Sequence, residues 1–115
     1  MSYEIHHNEK KDSPSGTELM IGEILNKTLD SKNRLVTEKL DRKIEKDEIH
    51  LASVRGGYFP GTHVVLFDSK VDTIELKHTA RNREGFAYGA VSAALWLKDK
   101  KGFFNIDDFM DSIVN

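Results

Sequence analysis

His6-His7-Asn8-Glu9-Lys10-Lys11-Asp12-Ser13-Pro14-Ser15-Gly16-Thr17 is the densest run of reactive side chains in the chain, and it sits where one kind of periodicity gives way to another. Before it, Tyr3 to His7 reads as a short strand. After it, Leu19, Met20, Ile24, Leu25 and Leu29 follow helical spacing and predict a core-facing stripe. Ser15-Gly16-Thr17-Glu18 has the capping-box pattern, Ser at the cap and Glu three residues on. The run is therefore a loop that carries a strand into the start of a helix, a usual place for chemistry on a rigid scaffold.

Working outward, residues 26–48 interleave Glu38, Asp41, Glu45, Asp47 and Glu48 with Lys39, Arg42, Lys43 and Lys46. Alternating signs argue for a solvated connection with some helical or strand character. Ile49 to Val54 is a strand, and Arg55 to Gly61 is a loop by its glycines and proline. His63 to Phe67 is apolar on both faces and predicts a buried or interface strand. Asp68-Ser69-Lys70 is a turn, and Val71 to His78 closes a hairpin. Phe86 to Lys98 is a helix rich in small residues that let it pack close to a sheet. Asn105 caps a last short helix. This order predicts an α+β fold: a mixed sheet of about four strands, helices on one face, and the other face used for oligomerisation.

Composition narrows the function. The chain has 115 residues, 17 Lys+Arg against 19 Asp+Glu, a net charge of −2 and no cysteine. That length suits one domain and leaves little room for a separate nucleotide-binding domain. The charge balance offers no basic field for a nucleic-acid backbone. The lack of cysteine excludes a disulfide scaffold, a thiol nucleophile and a Cys-based zinc site. No apolar run approaches the ~20 residues of a membrane span. With no charged-then-apolar leader, the expected location is the cytoplasm.

Three chemistries compete for the loop. Adjacent His6 and His7 on a strand point to opposite faces and chelate one ion poorly, so no metal is expected. Pro14-Ser15-Gly16-Thr17 lacks the glycine and lysine of a P-loop. A Ser-Gly-Thr helix start does offer free N–H groups, hydroxyls and the positive dipole end to a carboxylate or phosphate, though plain capping by Ser15 explains it as well. Gly16 would let a ligand approach the backbone closely. His6 and Lys10 beside such a site would make an acid/base pair for an anionic substrate.

Taken together, HHNEKKDSPSGT closely resembles the HHxxKxDAPSGTA signature of the 4-hydroxy-tetrahydrodipicolinate (dihydrodipicolinate) reductases, with Ser13 and Glu18 standing where that signature has alanine. Glu18 would bring a negative charge to an anion-binding helix start, or complete the capping box while pointing outward. Ser53-Val54-Arg55-Gly56-Gly57, Pro60-Gly61-Thr62-His63, the strand Lys70 to His78, and Arg83 with Phe86-Ala87-Tyr88-Gly89-Ala90 and Ala94-Leu95-Trp96-Leu97 are similar to later stretches of the same family.

The resemblance implies a reaction of lysine and diaminopimelate biosynthesis. A cyclic dicarboxylate is reduced to tetrahydrodipicolinate by hydride from NADH or NADPH. It implies His6 as general acid/base and Lys10 as proton donor. His7, Lys10, Ser15, Gly16 and Thr17 would hold the substrate, and Arg83 and Phe86 would lie near the cofactor. Members of the family are two-domain enzymes and usually homotetramers with an N-terminal Rossmann domain. Gly56, Gly57 and Gly61 are in the wrong context for its nucleotide loop. Residues 1–115 are thus expected to be the C-terminal substrate-binding and tetramerisation domain without the nucleotide-binding half. Such a chain would be inactive alone and would bind no cofactor tightly. The alternative is a stand-alone, non-catalytic dicarboxylate-binding or oligomerisation module.

Overall fold

A computed structural model describes residues 1–114. The elements run β1 (Ser2–His6), α1 (Gly16–Thr28), β2 (Arg34–Val36), β3 (Glu48–Arg55), β4 (Thr62–Asp68), β5 (Thr73–Thr79), α2 (Glu84–Leu97) and α3 (Ile106–Val114). The chain divides into two compact units, Met1–Arg81 and a second that begins at Asn82.

The first unit is a five-stranded mixed sheet in the order β2-β3-β1-β4-β5. The first strand is thus central: β1 runs parallel to β3 and antiparallel to β4, while β4 and β5 form the expected hairpin. The fold is α+β as expected, with one strand more. The extra strand is β2, three residues parallel to β3 and too short to show a period of two.

Joining parallel strands requires a crossover, and residues 37–47 provide it. Their charges are not all in water. Glu48 is buried and accepts from Arg34, from both terminal nitrogens of Arg42 at 2.8 Å, and from the Glu45 N–H at 2.8 Å.

The core is small. Val36, Ile49, Leu51, Val64 and Val65 are its buried apolar members. The predicted stripe on α1 is not the buried one: Leu19, Met20 and Ile24 are exposed, and the residues buried on α1 are Glu18 and Gly22. The reason is closeness. A Cβ at Gly22 would stand 2.6 Å from Leu51 Cδ1 and 3.2 Å from Leu35 Cδ1, so the helix meets the sheet through its smallest residue.

The second unit packs around one aromatic. The Trp96 ring lies 5.4 Å from Phe104 and 5.4 Å from Phe109, and Lys100 Nζ sits 4.5 Å over its face. Asn105 caps α3 as expected, its Oδ1 accepting from the N–H groups of Asp107 and Asp108. Within α2 no residue is buried. No described helix is long and apolar enough to cross a membrane.

Candidate active site at the start of the first helix

Strand pairing assembles the site. On the sheet face that carries α1, register sets Ser53, Glu4, His63 and His78 side by side across β3, β1, β4 and β5. One step along, His6 pairs with Arg55. Period-two alternation explains why β1 buries Ser2, Glu4 and His6 together. Beyond His6 the chain leaves the sheet, held by His7 N–H to Phe59 O at 2.9 Å.

Glu4 is the hub. Its side chain is fully buried, and its Oε1 accepts from Ser15 N–H (2.9 Å), Ser53 Oγ (2.8 Å) and Arg55 Nη2 (2.7 Å). Burial alone would raise its pKa, but these donors outweigh burial and hold it at about 2. Its other oxygen, Oε2, makes no hydrogen bond among the described residues and lies 3.3 Å from His6 Nδ1, which has no hydrogen-bond partner there either. A carboxylate at that distance favours the protonated ring and lies on the Nδ1 side, away from Nε2. Burial pushes His6 below its ordinary pKa. Glu4 pulls the other way, while His63, Lys10 and Arg55 add to the lowering.

Gly61 makes room for that ring. At φ +156° it holds a backbone that side chains rarely adopt, and a Cβ there would stand 3.1 Å from His6 Nε2.

The helix start is open to a ligand. Ser15 Oγ accepts from Glu18 N–H at 3.1 Å, whereas the N–H groups of Gly16 and Thr17 make no hydrogen bond among the described residues. A Cβ on Gly16 would meet nothing within 4 Å. These are the orphan donors at the positive end of a helix dipole. Lys10 Nζ is 2.7 Å from the exposed carboxylate of Asp12.

The expected residues fare differently. His6, Lys10, Gly16 and Thr17 border this corner. Ser15 differs from expectation: it is buried, its N–H is taken by Glu4 and its Oγ caps the helix, so it builds the site more than it offers a ligand contact. Arg83 and Phe86 belong to the second unit, Arg83 at the α2 N-cap without a side-chain hydrogen bond there and Phe86 exposed. Glu18 does not point outward, because its side chain is fully buried and faces His63.

Sequence reasoning missed Glu4, Arg55, His63 and Glu18 as site residues. The only local signal was a Glu and a His two apart on a strand. It also missed that Glu4, His6 and His63 bring donor atoms within 4.8 Å of one another, a spacing that a cation could bridge. The Arg55 guanidinium already supplies positive charge to Glu4, so the cluster suits proton handling better than metal binding. The run Gly56–Gly61 joins β3 to β4, two strands, and offers a dinucleotide no helix N-terminus.

A histidine facing a carboxylate beside an open helix start, with lysine and arginine near, suits acid/base chemistry on an anion. Similarity to known proteins gives the particular family. Residues 2–110 match the family model described as "Dihydrodipicolinate reductase, C-terminus", and the chain belongs to that family. It is 43% identical to a 4-hydroxy-tetrahydrodipicolinate reductase of Christiangramia forsetii over 96% of this chain and 44% of that protein. It is 44% identical to another of that name from Aquifex aeolicus, over 93% of this chain and 41% of the relative. The chain thus spans less than half the length of these relatives. Among solved structures, it is similar to a dipicolinate-bound dihydrodipicolinate reductase from Paenisporosarcina sp. TG-14, with TM-score 0.62 and 27% identity over 78% of this chain and 36% of that one.

Proposed function

We propose that this chain is the substrate-binding and proton-donating domain of a 4-hydroxy-tetrahydrodipicolinate reductase. The Gly16 and Thr17 N–H groups and the Thr17 hydroxyl hold one carboxylate of a cyclic dicarboxylate, and His7 and Lys10 hold the rest. Hydride from NADH or NADPH, bound by another part of the enzyme, adds to the ring. The balancing proton comes from this corner, with His6 as general acid/base and Lys10 as proton donor. The single observation that carries this reading is the Glu4–His6 pair set against an open helix start.

The pKa direction of His6 fits such a cycle. Burial first, and then His63, Lys10 and Arg55, hold the proton affinity of His6 below its ordinary value, while Glu4 opposes them. A bound dianion would offset those cations and raise its proton affinity. The family match and the dipicolinate bound to the solved relative support the substrate class. In the two-domain enzyme, His6→Ala and Lys10→Ala should each lower kcat about 10²-fold or more. Near-normal turnover in both variants would remove their roles and favour a non-catalytic dicarboxylate-binding module.

The enzyme is cytoplasmic and a homotetramer in this reading. Phe67, Ile74 and Leu76, exposed on the β4–β5 part of the sheet face that carries α1 and not on the opposite face as expected, support self-association. A monomeric mass in light scattering at micromolar concentration would contradict it.

A further inference from the structure

Glu18 follows the N-cap by three residues, where a capping box would turn its carboxylate back to the Ser15 N–H. That N–H is already bonded to Glu4. Glu18 is therefore free to turn inward, and its Oε2 lies 3.0 Å from His63 Nδ1 while its Oε1 has no hydrogen-bond partner among the described residues. His63 meets His6 edge to face, with ring centroids 5.2 Å apart and planes at 72°. The corner thus holds two carboxylate–imidazole pairs, Glu4–His6 and Glu18–His63, with the rings in contact.

We propose that Glu18 is a positioning residue: by accepting the His63 Nδ1–H it fixes the tautomer and place of His63 against His6, and so sets how readily His6 holds a proton. An ionised carboxylate only accepts, so the Nδ1 facing it must carry the hydrogen. Five groups face His6: Glu4 from its own strand, Arg55 from β3, His63 from β4, Lys10 from the loop and Gly61 behind Nε2. Glu18 from α1, Glu4 and His6 from β1, and His78 from β5 face His63. His63 is among the groups that lower the proton affinity of His6. Freeing His63 to turn away relieves that influence.

This inference takes its consequence for turnover from the proposed role of His6, but its structural readout stands without it. Nitrogen-15 NMR of the imidazoles in this chain, followed across pH, reports the tautomer and midpoint of each histidine. Wild-type His63 is expected as the Nδ1–H tautomer when neutral. Glu18→Ala should lose that preference and raise the His6 midpoint by ~0.5 unit or more. Glu18→Gln, whose amide oxygen still accepts, should keep the tautomer and move His6 less. In the two-domain enzyme, the kcat/KM pH profile of Glu18→Ala should shift in the same direction by a similar amount.

A wild-type His63 in the Nε2–H form overturns the proposal even if no variant folds. So does a Glu18→Ala protein with both the tautomer and the His6 midpoint unchanged. If His6→Ala keeps full activity while the NMR results hold, the proposed function fails and the positioning role survives.

Discussion

Glu4 and Glu48 are both buried carboxylates that draw arginines to the sheet, and they end in opposite conditions. Glu48, at the β2–β3 crossover, takes two arginines and a backbone N–H, and no atom of it is left over. Glu4, in the central strand, commits one oxygen to three donors and leaves the other 3.3 Å from the His6 imidazole, a group whose charge can change. The first is what a buried charge needs in order to be structural. The second has kept one lone pair for a group whose charge can change. A fully satisfied network holds a fold, whereas one open valence directed at an imidazole marks a place where protons move.

Acid should separate the two carboxylates most widely. Glu4 is held at about 2 against an ordinary 4.5, so its stabilisation is full above about pH 4.5 and is lost as pH falls towards 2. That is about 3 kcal/mol at the limit. His6, lowered from 6.5, gives stability that is present above its ordinary value and declines as pH falls below it. Urea unfolding of the chain should therefore weaken in two stages on acidification. In Glu4→Gln the acid stage should vanish and His6 should titrate lower still, since Glu4 is the group that raises it. An unchanged His6 midpoint in that variant would break the distinction.

Glu48→Ala should cost about 2 kcal/mol, less than a fully buried pair, because Arg34 and Arg42 can return to water. Its His6 titration should match wild type, and a moved midpoint would show the two networks to be one. Smallest is Gly22→Ala. Overpacking against Leu51 should outweigh the better helix propensity of alanine by about 1 kcal/mol, with no change at His6. A stabilised protein would mean that the helix can back away from the sheet.

The contrast between these networks was only partly legible in the sequence. Periodicity and turn residues placed β1, α1, β3, the β4–β5 hairpin and both later helices. Three residues of β2 carried no periodic signal. The α1 stripe misled because apolar residues also sit outside, and a glycine is what a close helix–sheet contact requires. His6, Lys10, Gly16 and Thr17 could be proposed from the sequence because they lie in one short run, from the end of β1 to the start of α1, with familiar capping chemistry. Their supports were not readable, because Arg55 is 51 residues from Glu4 and His63 is 45 from Glu18. Only the order that puts the first strand between β3 and β4 brings them together. A capping-box glutamate turned inward is likewise invisible until another carboxylate is seen to occupy the cap's N–H.

The central claim is that the α1 start and His6 form one anion site that gains a proton when filled. Its most direct test is calorimetric titration of this chain with pyridine-2,6-dicarboxylate in buffers of differing ionisation enthalpy at neutral pH, alongside amide spectra. The account predicts net proton uptake on binding, with the largest amide shifts at Gly16 and Thr17 and loss of the uptake in His6→Ala. Binding with no proton uptake, or amide shifts confined to residues away from the helix start, would contradict it.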